Sequence, residues 1–275
     1  MVSQTTPHGG TLPLAPADIH LWLTDYGEIA DEQLLDSYRE LLEPTERAQE
    51  LRFHFPRDRR RYLVTRALVR TVLSRYAGIE PRDWRFSNNA YGRPEIANTE
   101  AADARLSFNI SHTHSLIVLG VTRQRALGVD VENVQAREVS LEIAHHYFAP
   151  PEVAVLSTAP LAEQQYRFFE YWTFKEAYIK ARGMGLSLPL EKFSFQYPAD
   201  DAVEISIDRE LADEPARWQF WQFRPRPEYL VAVCAERAAT ETSIVVRQTV
   251  PMRSDRPFAP QFLRLSDRVS ARRER

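Results

Sequence analysis

Three lysines stand among 35 basic residues, and two of them, Lys175 and Lys180, bracket Glu176 in the run Trp172-Thr-Phe-Lys-Glu-Ala-Tyr-Ile-Lys180. The other 32 basic residues are Arg, so a turn to Lys here suits a compact, mobile point charge better than a planar fork. On a helix, Trp172, Glu176 and Lys180 fall one turn apart and form one stripe. A carboxylate and an ammonium so placed can take a proton and offset negative charge. The plainer alternative is a surface brace contributing about 0.2–0.5 kcal/mol.

Carboxylates gather again in Gly128-Val129-Asp130-Val131-Glu132, which alternates as a strand does. Asp130 and Glu132 share a face, where they repel unless water or a cation intervenes. Paired Asp and Glu oxygens suit a hard cation such as Mg²⁺; an exposed strand face is the competing explanation. In Ser107-Phe-Asn-Ile-Ser-His112, Phe108 and Ile110 face the core, leaving Asn109 and Ser111 opposite and His112 at the strand end. An amide, a hydroxyl and an imidazole together make a rim for phosphate, or merely a capped strand end. His114 could assist His112, whereas His145 and His146 lack metal-ligand spacing. Arg57-Asp-Arg-Arg-Arg61 opens a helix behind Pro56, and a helix N-terminus already attracts anions. Arg93, in a Tyr-Gly-Arg-Pro turn, offers one more cation.

The elements that must position these groups follow one order twice. A strand at 19–23 precedes helices over 28–43, 45–54 and 58–76, then strands over 106–110, 116–122 and 127–132. Helices over 141–146 and 163–182, stopped by Gly183, lead to strands over 192–196, 203–207, 217–223 and 229–235. Helix then antiparallel strands, twice, predicts an α+β fold of two similar lobes with the active site in the cleft between them. The predicted organisation is a flexible segment over 1–16, lobes over 17–125 and 126–240, and an Arg-rich tail over 241–275. With eight Arg against four acids, the tail reads as poorly ordered or loosely docked.

A length of 275 residues gives ample material for a core, and a net charge of −3 demands neither nucleic acid nor membrane. The single cysteine, Cys234, lies in an apolar strand; it excludes an internal disulfide and reads as core. No basic-then-apolar leader and no membrane-length apolar run is present. These features predict a soluble cytoplasmic protein.

Four motifs stand in order: Tyr91–Pro94, Asn109–His112, Gly128–Glu132 and Trp172–Lys180, with Gly183-Met-Gly-Leu-Ser-Leu-Pro-Leu190 behind them. Together they resemble the Sfp-type 4′-phosphopantetheinyl transferases over about residues 20–236. The resemblance implies transfer of the phosphopantetheine arm of coenzyme A to a serine of an apo acyl or peptidyl carrier protein, releasing adenosine 3′,5′-bisphosphate. It further implies Mg²⁺ held by Asp130, Glu132 and Glu176, with Glu176 also taking the serine proton. Lys180 would neutralise the leaving phosphate, and Lys175 would contact phosphate or orient the loop. Ser111 and His112, aided by Arg93 and by Arg57 or Arg61, would grip the 3′-phosphate end. A cleft complete in one chain implies a monomer.

Two other functions use the same residues. A different Mg²⁺-dependent nucleotide or pyrophosphate enzyme would need the carboxylates but no joint purpose for the Ser-His and Lys-Glu pairs. A nucleic-acid-binding module would use the Arg runs, but predicts a basic balance; residues 1–240 hold 27 basic against 34 acidic side chains.

Overall fold

The long helix carrying the Lys-Glu-Lys run forms as its sequence demands. Apolar side chains recur along it, and Gly183 at φ 67° returns its N–H to Ile179 and Lys180 carbonyls, ending it. Proline opens three other helices at a position where no N–H is needed. In the computed structural model, which describes residues 11–136, 138–139 and 141–267, these elements build a two-lobed α+β molecule.

The first lobe runs β1 (Ile19–Asp25), α1 (Glu32–Glu40), α2 (Pro44–Arg52), α3 (Pro56–Leu73), the hairpin β2 (Phe86–Asn88) and β3 (Pro94–Ile96), then β4 (Leu106–His112) and β5 (Leu116–Arg123). The second repeats the scheme: β6 (Leu127–Asn133), α4 (Leu141–Tyr147), α5 (Pro150–Thr158), α6 (Leu161–Arg182), the hairpin β7 (Phe193–Gln196) and β8 (Glu204–Ile207), then β9 (Trp218–Phe223) and β10 (Tyr229–Glu236). Within the sheets the orders β1-β5-β4 and β6-β10-β9 match strand for strand. The expected pseudo-twofold arrangement is present.

Four layers result: helix, sheet, sheet, helix. Ile19, Leu21, Leu23, Leu116 and Val118 of one sheet meet Val129, Val131, Val231 and Val233 of the other. The alternate residues turn outward. Trp22, Ile117 and Leu119 pack under Leu63, Ala67 and Leu68 of α3, and Leu230, Ala232 and Cys234 under Phe174, Ala177 and Tyr178 of α6. Cys234 is fully buried, as a core residue should be.

The segment after residue 240 departs from expectation. It forms β11 (Ile244–Val250), parallel to β1, then β12 (Ser254–Phe258), and finally β13 (Phe262–Leu265) on the edge of the second sheet beside β9. It is therefore a strap across both lobes. Its arginines are engaged: Arg247 with Asp255 at 2.8 Å, Arg253 with Asp31 at 3.1 Å, Arg256 with Gln248 at 2.8 Å and Arg264 with Glu170 at 3.1 Å. Charge count hid an alternating strand pattern, Ile-Val-Val-Arg-Gln-Thr-Val. Residues 268–275 and 1–10 lie outside the described residues. Of the expected flexible N-terminal segment, residues 11–16 dock through buried Leu14 and a Leu12 N–H to Arg75 carbonyl bond of 2.5 Å. No described helix is long and apolar enough to cross a membrane.

Candidate active site

Helix α6 lies against β6 closely enough that the strand can spare no side chain at the contact. A Cβ on Gly128 would stand 1.9 Å from the Ala177 carbonyl oxygen and 2.4 Å from the Ala181 nitrogen. Two residues on, Asp130 turns from the inter-sheet core toward α6 and is 4% exposed. The close approach brings Lys180 Nζ to 2.6 Å from Asp130 Oδ1 and 2.8 Å from Ser111 Oγ. Ser111 Oγ donates to the same Oδ1 at 3.0 Å, and accepts from the Val131 N–H at 3.3 Å. Asp130 Oδ2 is buried without a hydrogen-bond partner.

Glu176 sits one helical turn before Lys180, half-buried. Burial first, and then the Asp130 charge, push its carboxyl up to about 7, with Lys180 opposing. One ammonium thus faces two carboxylates. Glu132, on the same face of β6, is also half-buried. Among the described residues no three His, Cys, Asp or Glu side chains are gathered closely enough to hold a metal ion. Asp130 and Glu176 are brought together, while Glu132 is not gathered with them into such a group.

Ser111 belongs to a row whose work is partly structural. Asn109 Oδ1 accepts from Val129 N–H at 2.8 Å, and Thr113 Oγ1 from Asn133 N–H at 3.2 Å. Alternate side chains of β4 therefore satisfy the free edge of β6, stitching the lobes where no backbone ladder joins them. The expected phosphate rim is corrected to that extent: Asn109 and Ser111 hold the cleft's floor. The spacing was readable, since both strands alternate at period two. What the sequence does not carry is the register.

His112 ends β4. Partial burial and then the Arg61 charge lower its pKa, although the side chain as a whole remains exposed. Arg61, in the second turn of α3, also pairs with Asp58 at 3.3 Å. Arg61 is near enough for its charge to act on His112. Arg57 stands exposed at the helix start. Farther along α3, Arg66 and Arg70 line a cavity of about 240 Å³ with Tyr62 and Phe86, where both cations pair with Glu46, at 3.5 and 2.7 Å. His114 shares a 3.2 Å contact with the Ser115 hydroxyl, and His145 and His146 are exposed on α4.

Two expected phosphate contacts are placed elsewhere. Arg93 points its guanidinium at carbonyls: Lys180 at 2.9 Å, Phe108 and Leu127 at 3.3 Å, and Ala181 at 3.4 Å. The carbonyls ending α6, at the negative end of the helix dipole, attract a cation as a phosphate would. Arg93 thus clamps the helix to β4 and β6, and Asn89 adds a bond to the Gly183 carbonyl at 3.0 Å. Lys175, one position off the stripe, is fully buried on the far side. Its Nζ donates to the Leu190 and Phe193 carbonyls at 2.8 and 2.7 Å, pairs with Glu152 at 2.8 Å, and lies over the Phe193 ring. Phosphate contact is excluded by that burial; orienting the loop before β7 is what the geometry supports. Burial lowers the Lys175 pKa and raises that of Glu152, each opposed by the other's charge.

Removing one member of such a pair strands a buried charge at a cost of about 3–5 kcal/mol. Lys175→Met is therefore expected to lower the denaturation midpoint sharply, and Lys175→Met/Glu152→Gln to recover part of the loss. Equal midpoints for wild type and the single variant in urea melts would contradict the pairing.

Comparison with known proteins agrees with the order of these parts. A family model described as 4'-phosphopantetheinyl transferase superfamily matches residues 126–234, and a second, 4'-phosphopantetheinyl transferase, N-terminal, matches residues 30–124. The 4'-phosphopantetheinyl transferase Sfp of Bacillus subtilis (strain 168) is 34% identical over 214 residues, 76% of this chain and 91% of that protein. The 4'-phosphopantetheinyl transferase HetI of Nostoc sp. is 34% identical over 181 residues, 66% of this chain and 75% of that protein. The strap after residue 240 lies beyond both family models.

Proposed function

This chain belongs to the 4′-phosphopantetheinyl transferase superfamily, and from that premise we propose how its cleft performs the transfer. It is an enzyme that transfers phosphopantetheine, with coenzyme A and carrier proteins as the general partners of the family. In the proposed reaction a carrier-protein serine attacks the phosphorus next to the pantetheine, and adenosine 3′,5′-bisphosphate departs. The serine must lose a proton while negative charge collects on the leaving phosphate. Such transfers give a protein little covalent work, so positioning and charge dominate.

Glu176 takes the serine proton. With its carboxyl pushed up to about 7, it can accept a proton near neutral pH and release it again. Lys180 carries the positive charge that answers the leaving phosphate; its side chain is 26% exposed, so the ammonium can reach a ligand. Ser111 positions Asp130 and Lys180 through its hydroxyl. His112 and Arg61, whose charge acts on that imidazole, are the proposed grip on the 3′-phosphate end.

Asp130 and Glu176, already brought together, would hold Mg²⁺, and Glu132, on the same face of β6, would have to close on it as the third carboxylate. An orphaned buried Asp130 Oδ2, and two carboxylates facing one ammonium, fit a hard divalent cation. Bound there, the ion would act as a Lewis acid on the pyrophosphate. We further propose that the protein acts as a monomer in the cytoplasm, where a lone buried thiol stays reduced.

One observation carries the assignment: Asp130 is shared by Lys180 and Ser111 directly beside a carboxyl raised to about 7. Incubation with coenzyme A, Mg²⁺ and apo acyl or peptidyl carrier proteins is expected to add a phosphopantetheine mass to the carrier serine, seen by intact mass spectrometry. Asp130→Ala is expected to lower the rate by about 10³-fold or more with the fold retained. No mass gain across fatty-acid, polyketide and nonribosomal-peptide carriers would overturn the proposal.

A further inference from the structure

We infer that Lys180 is a tethered cation that occupies the acidic corner of the ligand-free protein, and that a divalent cation must displace it from Asp130. The inference rests on the assignment of Asp130, Glu132 and Glu176 to a metal, and concerns what this chain's own ammonium does toward that ion.

The ammonium is held as a ligand-bound cation would be. Lys180 Nζ lies 2.6 Å from Asp130 Oδ1 and 2.8 Å from Ser111 Oγ, while Ser111 itself donates to the same oxygen at 3.0 Å. An ammonium and a divalent cation cannot both take that oxygen at contact distance without strong repulsion. The other oxygen, Oδ2, remains buried and unpartnered, so one lysine does not complete the site.

The lysine is also built to leave without disturbing the helix. Its carbonyl is fixed by Arg93 at 2.9 Å, so the main chain stays while the four-carbon stem swings. Glu176, one turn earlier, stays on the same fixed helix. A bound pyrophosphate gives the departing ammonium a new anionic partner. Metal and coenzyme A therefore favour each other's binding through this one side chain, and the coupling is reciprocal. In the ligand-free protein the lysine opposes the metal; with coenzyme A present it no longer does.

The test reads metal binding rather than turnover. Mn²⁺ is titrated by calorimetry and electron paramagnetic resonance into wild type, Lys180→Met and Lys180→Gln at pH 8.5, with circular dichroism confirming the fold of each. Both variants are expected to bind Mn²⁺ about tenfold more tightly than wild type without coenzyme A. Adding coenzyme A is expected to tighten Mn²⁺ binding more in wild type than in either variant. Unchanged or weaker Mn²⁺ binding in both variants overturns the inference and leaves the metal assignment standing. Mn²⁺ binding that is absent from every protein, or unaltered by Asp130→Asn, overturns the metal assignment and the inference with it.

Discussion

Glu176→Gln is expected to reduce transfer by about 10³-fold or more and, at the same time, to make the protein more stable at pH 8. The two effects have one origin. Burial and the Asp130 charge push the Glu176 carboxyl up to about 7, so the folded protein holds this proton more tightly than the unfolded chain does. Between the ordinary carboxyl range and pH 7 the native state binds more protons than the unfolded one, and stability falls as pH rises through that window. Above pH 7 the full penalty is present, roughly 3–4 kcal/mol before any allowance for water and local relaxation, which reduce it for a half-buried group. A neutral amide does not incur it. Thermal melts of the metal-free proteins at pH 5 and pH 8 check this: the gain from Glu176→Gln should appear at pH 8 and shrink at pH 5. A variant less stable than wild type at pH 8 would mean that a partner holds Glu176 ionised, leaving it too weak a base near neutral pH for the proposed role.

Gly128→Ala is expected to be among the most destabilising single-methyl changes in the chain. The added carbon would meet main-chain atoms of α6 at 1.9 and 2.4 Å, and backbone inside a helix cannot turn aside as a side chain can. Either α6 moves off β6 or the strand bends, at a cost of about 3 kcal/mol or more. Because Asp130 and Lys180 meet across that same contact, transfer should fall along with the melting temperature. Gly78→Ala is the matched control, since a Cβ there meets nothing within 4 Å. Melting temperatures that fall equally little in the two variants would show that the helix–strand approach is looser than described.

Gly128 also marks how far the sequence could be read. Alternation in Gly-Val-Asp-Val-Glu placed Asp130 and Glu132 on one face, and helical spacing placed Glu176 and Lys180 on one stripe; both hold in the structure. The convergence of strand and helix depends on how near they pack, and that follows from a missing side chain rather than from any chemical group. Local periodicity likewise found α3, α6 and the sheet strands as far as β10, but not β11, β12 and β13 of the strap. It missed α5, with its weakly patterned Pro-Pro-Glu-Val-Ala-Val start, and the three-residue strands of the first hairpin.

Lys175, which orients the loop rather than meeting phosphate, and Arg93 both turn to carbonyls for a shared reason. A cation beside a catalytic motif looks like a phosphate ligand, yet carbonyl groups at helix and loop ends are anionic partners as well. Only tertiary structure tells which partner is present. For Lys175 the sign was its offset from the stripe by one residue, about 100° around a helix and so away from the cleft. Its partner Glu152 lies in the helix that periodicity missed, so nothing in the sequence linked the two.

The strap has a consequence for how the molecule comes into being. β1 pairs in parallel with β11, Ile19 opposite Ile244, so during synthesis β1 waits about 225 residues for one of its neighbours. Until Ile244–Val250 is made, one edge of the first sheet has its N–H and C=O groups open to other chains. Such distant pairing slows folding, because a long loop must close before the contacts reward it. The strap therefore acts as a closing seam, and the first lobe cannot be finished before the second.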